Sequence, residues 1–201
     1  MRKRGRLATV MALVMALAMS VSALAVAAEP GEVVEDRTEA VATVLGQPES
    51  PERTAELSET IDASIDFEYL AGLALGEHWE ERDEAEQEEF MVLLRRLLQA
   101  NYEDRLGGYE LDDDYQIIYE EQRVRDDRAF VPARIESDDR RESVVYRLYR
   151  NDQGQWVIYD VVVDDISLEE TYRDGYVPII EDKGWQELIR RMQSRVDALE
   201  E

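Results

Sequence analysis

The 201-residue chain carries 47 acidic and 23 basic side chains and a single histidine, which gives a formal net charge of −24 at pH 7. Nucleic acids and anionic membrane surfaces repel a chain this acidic, so nucleic-acid binding and electrostatic attachment to a bilayer are excluded as its main role. The chain has no cysteine, which excludes disulfides, thiol catalysis and cysteine-based zinc sites.

The N-terminal segment has the three parts of a secretory signal peptide. Four basic residues within the first six positions precede an uncharged apolar stretch, residues 7–26, which closes on Ala27 and Ala28. We predict cleavage after Ala27 or Ala28, although about 20 apolar residues could also span a bilayer as an anchor. Cleavage makes residues 1–28 the signal peptide and leaves residues 29–201 as a single domain. Losing four of the 23 basic residues brings the net charge to −28.

Two helices are predicted at the start of this domain. The first covers a charged stretch with sparse apolar positions and ends at Gly46. Ser50 before Pro51 matches an N-cap followed by proline at the first helical position, which starts the second helix. Apolar side chains at positions 57, 61 and 65 then repeat with the spacing of one helix face.

A short apolar helix over residues 66–75 precedes the clearest helix of the chain. Asp83 and Glu86 have the spacing of a capping box, in which each side chain accepts a hydrogen bond from the backbone of the other. A wide apolar stripe follows, and Gly107 and Gly108 mark the end of the helix. We therefore expect a long helix with one face in the core.

The apolar period changes from 3.6 to 2 residues after these glycines, which predicts strands. The four candidates are residues 115–121, 129–136, 143–150 and 155–163. Pro132 predicts that its strand lies at a sheet edge or contains a bulge, because proline cannot donate to a ladder. Ser167 and Glu170 have the spacing of a second capping box. One helix is predicted from there to about Lys183, and a final helix from about Gly184 to Leu199. Helices, a strand meander and helices again define an α+β fold.

Few residues suggest catalysis. His78 is the only histidine, and a lone histidine beside a tryptophan is more typical of packing or hydrogen bonding than of a catalytic site. The sequence has no nucleophile elbow, phosphate-binding loop or dinucleotide-binding glycine pattern. The acidic run 112–114 lacks the glycine and the final glutamate of a calcium loop, so it is typical of a solvated turn.

Asp160 interrupts an otherwise apolar strand, and a buried carboxylate needs hydrogen-bonding or charged partners. One interpretation is structural: the carboxylate anchors a loop or pairs with an arginine. The alternative is catalytic, with Asp160 as a general base and Tyr159 beside it in a cavity, as in ketosteroid-isomerase-like enzymes. No partner acid is visible, which favours the structural interpretation.

Four segments in order along the chain carry a resemblance to a known family. They are residues 67–79 (FEYLAGLALGEHW), the capped helix with Phe90, Leu97 and Tyr102, residues 130–135 (FVPARI) and residues 156–168 (WVIYDVVVDDISL). They resemble the motifs of the MlaC / toluene-tolerance auxiliary family, including its F-x-Y-[MI]-A-x-x-x-L-G-x-x-W and W-x-[VA]-Y-D-[VM]-x-[VA]-E-G-[VI]-S signatures. Asp165 stands where the second signature has glycine, so that turn is expected to differ. The chain is also more acidic than the family leads us to expect.

The resemblance implies a periplasmic phospholipid carrier that is monomeric and not an enzyme. Its fold would be NTF2-like in outline: helices flanking a curved, mainly antiparallel sheet around an apolar lipid cavity. The carrier would exchange lipid with an outer-membrane lipoprotein–porin complex and with an inner-membrane MCE-domain ABC transporter, which maintains outer-membrane lipid asymmetry. It would need no cofactor or metal, since phospholipid is its cargo.

The motifs and the strand pattern together give an expected set of lipid-contacting side chains. The set is Phe67, Leu70, Leu73, Leu75, Trp79, Phe90, Leu94, Leu97, Tyr102, Val131, Ala133, Ile135, Val157, Tyr159, Val161, Val163, Ile166, Tyr172 and Tyr176. Strict alternation along the last strand would place its odd-numbered residues on the lipid side and Asp160 on the other. Two alternatives stay open: the cavity enzyme described above, and a lipid-free periplasmic adaptor with a filled core.

Overall fold

The computed structural model describes residues 28–106, 116–136 and 141–199, and within 99–106 it describes the backbone alone. Residues 1–27 of the predicted signal peptide, the predicted helix end at Gly107 and the acidic run 112–114 lie outside the described residues. The described helices are α1 (Pro30–Leu45), α2 (Pro51–Asp62), α3 (Phe67–Leu75), α4 (Glu77–Glu80), α5 (Glu84–Leu106), α6 (Leu168–Lys183) and α7 (Trp185–Leu199). In this part of the chain, no helix combines the length and apolarity needed to cross a membrane.

The described strands form one antiparallel sheet, which confirms the α+β class. They are β1 (Gln116–Tyr119), β2 (Arg123–Arg125), β3 (Arg128–Glu136), β4 (Arg141–Arg150), β5 (Trp156–Val163) and β6 (Ile166–Ser167). The order across the sheet is β1-β3-β4-β5-β6, and β2 also pairs with β3. The four predicted strands are present, and the two additional ones are too short for a period-2 pattern to reveal.

The predicted helix starts are confirmed by their side-chain caps. Ser50 Oγ accepts a hydrogen bond from the Arg53 backbone N–H at 3.1 Å. The capping box before α5 is reciprocal: Asp83 accepts from the Glu86 N–H at 2.9 Å, and Glu86 accepts from the Asp83 N–H at 3.3 Å. Such caps satisfy N–H groups that have no partner inside the helix. Local sequence alone therefore sets these helix boundaries.

Pro132 lies in an inner strand, β3, so of the two predicted alternatives the sheet edge is wrong. The bulge is present on the neighbouring segment, where three residues between Tyr119 and Arg123 stand opposite two between Phe130 and Ala133. Pro132 pairs with Val145 of β4, and its carbonyl accepts a hydrogen bond from the Glu120 N–H at 2.9 Å on the other side. The N and O atoms of one residue point to the same neighbour in an antiparallel strand. The nitrogen of Pro132 therefore faces the interruption between β1 and β2. The sheet has no regular ladder hydrogen bond at this position, so the missing N–H removes none.

The buried apolar side chains form two hydrophobic cores, one among the helices and one between α1 and the sheet. The larger one is formed by α2, α3, α5, α6 and α7 around Phe90 and Leu94, both of which are buried. The smaller one lies between the sheet and α1, where Val34 packs against Leu148 and Ile158. We call the side of the sheet that carries Leu148 and Ile158 the α1 face. We call the opposite side, where Tyr159 contacts Tyr69 of α3, the tyrosine face.

A β-bulge at Tyr159 breaks the strict alternation that the sequence predicts. Arg147 of β4 pairs with Asp160, but the next residue, Leu148, pairs with Ile158, which leaves Tyr159 as the extra residue. Ile158 and Val161 consequently lie on the α1 face together, while Tyr159 points to the tyrosine face. The expectation that positions 157, 159, 161 and 163 share one face is wrong for this reason.

Asp160 is the anchor that the structural interpretation predicts. Its side chain is 0% exposed, and its Oδ2 atom lies 3.0 Å from the Arg147 guanidinium and accepts a 2.8 Å hydrogen bond from Ser167 Oγ. Its Oδ1 atom accepts a 3.0 Å hydrogen bond from the Glu169 backbone N–H in the first turn of α6. Both oxygens are therefore occupied by protein groups that join β4, β5 and α6.

The turn at Asp164 and Asp165 connects β5 to β6 with two residues. Both have positive φ, 46° and 67°, and the flanking Val163 and Ile166 pair with each other. Two-residue hairpins favour residues that tolerate this left-handed region, among them glycine and aspartate. Asp165 thus adopts a conformation suited to the glycine of the family motif.

We predict that Asp160→Asn lowers the free energy of unfolding by about 2–3 kcal/mol, because it leaves Arg147 without its closest counter-ion. The effect is below that of a fully buried pair since the Arg147 side chain is 26% exposed. Glu170→Gln is the matched control: its carboxylate lies 3.8 Å from the same guanidinium but is 53% exposed. That control should cost less than about 1 kcal/mol. Urea unfolding of both variants checks this, and equal losses would contradict the anchoring role.

Candidate functional site

A cleft in two connected parts lies between α1, the end of α2 and the α1 face of the sheet. The outer part has a volume of about 650 Å³ and the inner part about 110 Å³. The residues that border both parts are Arg37, Ser64, Ile65 and Ile158. The two parts therefore adjoin each other beside α1, and these four residues form their common border.

The inner part is apolar. Besides the shared residues, it is lined by Val41 of α1, Ile61 of α2, Tyr146 of β4 and Val161 of β5, with Thr38 at its edge. The Thr38 hydroxyl donates to the Val34 carbonyl and lies 3.4 Å from the Tyr146 hydroxyl. Burial raises the pKa of Tyr146, and the Thr38 hydroxyl offsets part of that shift. Because the two hydroxyls interact with each other, this side of the inner part is mainly apolar towards a ligand.

The outer part is wider and mixed in polarity. Its apolar side is formed by Val33 of α1 together with Trp156 and Val157 of β5, and its polar side includes Gln153 and Asp66. A cleft of this kind can hold a ligand that is apolar at one end and polar at the other. The polarity therefore changes along the cleft, from mixed in the outer part to apolar in the inner part.

Helix α1 forms the roof of the cleft, and its buried residues, Pro30, Val34 and Val44, lie towards its two ends. Val34 is buried against the sheet, and Val44 near its C-terminus packs in the helical core. The backbone N–H of Gly31 donates to the Gln122 side chain at 2.7 Å. The middle of the helix, with Arg37, Thr38 and Val41, borders the inner part of the cleft.

Aromatic rings fill the corresponding region of the tyrosine face. The Tyr69 and Tyr149 rings stack at 3.9 Å, and Tyr159 meets both edge-on at 5.4 and 6.2 Å. The Arg128 guanidinium lies over these rings and donates to the Tyr69 hydroxyl. Burial raises the pKa of Tyr149, whose hydroxyl donates to Asp66 at 2.6 Å and is further held neutral by that carboxylate. The tyrosine face is thus occupied by packed aromatic rings next to β5, whereas the α1 face borders the cleft.

A further cavity of about 530 Å³ lies beside the Tyr69 ring on α3. Leu73 and Trp79 line it, and so do the acidic side chains of Asp66, Glu68 and Glu80. Three carboxylates around one opening are unfavourable for an apolar or anionic ligand. The two-part cleft is therefore the better candidate site.

Only a few of the expected lipid-contacting side chains lie at the two-part cleft. Those in or against the helical core are Phe67, Leu75, Trp79, Phe90, Leu94, Leu97, Tyr172 and Tyr176. Val157 and Val161 line the two-part cleft. The remaining ones are buried (Leu70, Val131, Ala133, Tyr159), half-buried (Ile135) or exposed (Leu73, Val163, Ile166). The side chain of Tyr102 lies outside the described residues.

Most of the cleft lining was not among the expected residues. The missing signal was available on α1, where Val33, Arg37 and Val41 follow one another at intervals of four and share a helix face. Ile61 and Ile65 belong to a stripe that the sequence does show. The sequence does not show that the residues on α1 and the stripe with Ile61 and Ile65 line the same cleft.

Known proteins share both the sequence pattern and the fold. The family model described as MlaC protein matches residues 35–194. A Haemophilus influenzae protein, the intermembrane phospholipid transport system binding protein MlaC, is 25% identical over 134 residues. That alignment covers 64% of this chain and 61% of the relative, so the chain spans less than two thirds of that protein's length.

The fold is shared with a phospholipid-binding protein from Ralstonia solanacearum, solved in complex with a phospholipid. The TM-score is 0.77 at 20% sequence identity, and the match covers 87% of this chain and 100% of that chain. The family match extends from within α1 into α7 and includes every described strand. The chain therefore belongs to the MlaC family.

Proposed function

We propose that this protein is a carrier that holds the acyl chains of a phospholipid in the two-part cleft. The observation that carries the proposal is the apolar inner part, which continues into a wider and more polar outer part under a single helix. The proteins it resembles are named for phospholipid binding and phospholipid transport. Binding by burial alone requires no cofactor, metal or covalent step.

The size of the cleft bears on how lipid would be held. Pockets for small molecules usually measure about 300–1,000 Å³, a range that includes the outer part but not the inner part of about 110 Å³. The inner part is too small for a whole acyl chain, so a chain that enters it would displace α1 from the sheet to reach further.

The energy of burial indicates how lipid would leave. Two acyl chains with about 30 methylenes correspond to roughly 24 kcal/mol of gross burial energy at about 0.8 kcal/mol each. Non-covalent affinities saturate near about 18–21 kcal/mol, so spontaneous release into water would be extremely slow. We therefore place release in docked complexes, with an outer-membrane lipoprotein–porin complex and an inner-membrane MCE-domain ABC transporter as the partners.

Exchange between two membranes requires a periplasmic protein, and we propose that the N-terminal segment directs this export and is removed by cleavage after Ala27 or Ala28. The mass of the polypeptide recovered from the cell envelope should then correspond to a chain that begins at Ala28 or Glu29. Intact-protein mass spectrometry of the periplasmic and membrane fractions checks this. A full-length chain in the membrane fraction would contradict cleavage and would indicate an anchored carrier.

The lipid site is tested by adding bulk to the inner part of the cleft. We predict that Val161→Trp sharply reduces the phospholipid that co-purifies, because the indole occupies the space of an acyl chain. The delipidated variant should stay folded and gain up to about 1 kcal/mol in free energy of unfolding, since a cavity is filled. Phosphorus analysis of extracted lipid and urea unfolding on the same samples measure both effects.

Val124→Trp is the matched control, because Val124 lies on β2 and is 49% exposed. It should change neither the lipid content nor the stability. In a filled core, added bulk overpacks and destabilises by about 1–3 kcal/mol. A Val161→Trp variant that loses this much stability, together with a wild-type protein that yields no lipid, would favour the lipid-free adaptor.

A further inference from the structure

We propose that Arg37 binds the phosphodiester of the lipid head group at the junction between the two parts of the cleft. The inference rests on the proposed carrier function and gives the head group a binding site of its own. Arg37 borders both the apolar inner part and the mixed outer part. It is also the only basic side chain among the described residues that line the cleft.

The position of Arg37 matches the architecture of a phospholipid. On one face of α1, Val33 lines the outer part, Arg37 lies at the junction and Val41 lines the inner part. A phosphodiester lies next to the glycerol from which the acyl chains extend. A ligand whose chains contact Val41 and Val161 would therefore bring its phosphate to the level of Arg37.

The chemistry of Arg37 also fits. A guanidinium can donate two parallel hydrogen bonds to phosphate oxygens, and its methylene stem can lie along an apolar wall. The Arg37 side chain is exposed and forms no ion pair or hydrogen bond with another described residue, although acidic side chains outnumber basic ones by 47 to 23 in the chain. Its donors are thus available within the described structure.

The surrounding charge restricts which head groups suit this site. The one carboxylate among the described residues of the cleft lining is that of Asp66, which contributes to the outer part. One arginine can neutralise the single negative charge of a phosphodiester, whereas additional negative charge in the head group would be repelled by the acidic chain. The site therefore favours a zwitterionic phospholipid over one with a net negative charge.

A competition between two lipids with identical acyl chains tests the assignment. Delipidated protein is incubated with vesicles that contain phosphatidylethanolamine and diacylglycerol, and the bound ratio is measured by mass spectrometry. Wild type should prefer the phospholipid, and Arg37→Gln should lower that preference roughly tenfold, the loss expected for one charge-assisted hydrogen bond at an exposed site. Uptake of diacylglycerol should stay unchanged, and Arg37→Lys should retain part of the preference.

Arg125→Gln is the control for net charge, since Arg125 is an exposed residue on β2. It should leave the preference at the wild-type level. An unchanged preference in Arg37→Gln, or an equal fall in diacylglycerol uptake, would overturn the role of Arg37 while leaving the carrier function in place. A wild-type protein that takes up neither lipid would overturn both the carrier function and the site.

Discussion

The burial of one carboxylate on β5 organises the sheet around the candidate site. Asp160 can be fully buried only because Arg147, Ser167 and the first turn of α6 supply its partners. The extra residue at Tyr159 in β5 places Asp160 directly opposite Arg147 of β4. The same bulge turns Ile158 and Val161 toward α1. The geometry of the cleft thus depends on an ion pair on the other side of the sheet.

The second constraint is the division of apolar material between two cores. The helical core is filled by large side chains such as Phe90 and Trp185, whose rings lie 5.5 Å apart, and α1 contributes to it mainly near its C-terminal end, with Val44. The core under α1 is smaller and borders the cleft. A domain built in this way can loosen one helix for a ligand while most of its buried surface stays in place.

Much of the fold could be predicted from local sequence, because its determinants are local. Caps such as Ser50 and Asp83 interact with backbone within three residues, and the strands show their period directly. The bulge at Tyr159 could not be predicted, since it depends on pairing with a strand elsewhere in the chain. The cleft could not be predicted either: apolar residues such as Phe90 and Val161 look alike in sequence, yet one fills a core and the other lines a cavity.

The central claim is that acyl chains lie on the α1 face of the sheet, and two adjacent residues test it directly. A diazirine-bearing amino acid is placed at Ile158 in one protein and at Tyr159 in another, and each is loaded with phospholipid and irradiated. Because these consecutive side chains point to opposite faces, mass spectrometry should find a lipid adduct at position 158 and none at position 159. Labelling at 159 alone, or at neither position in lipid-loaded protein, would contradict the assignment.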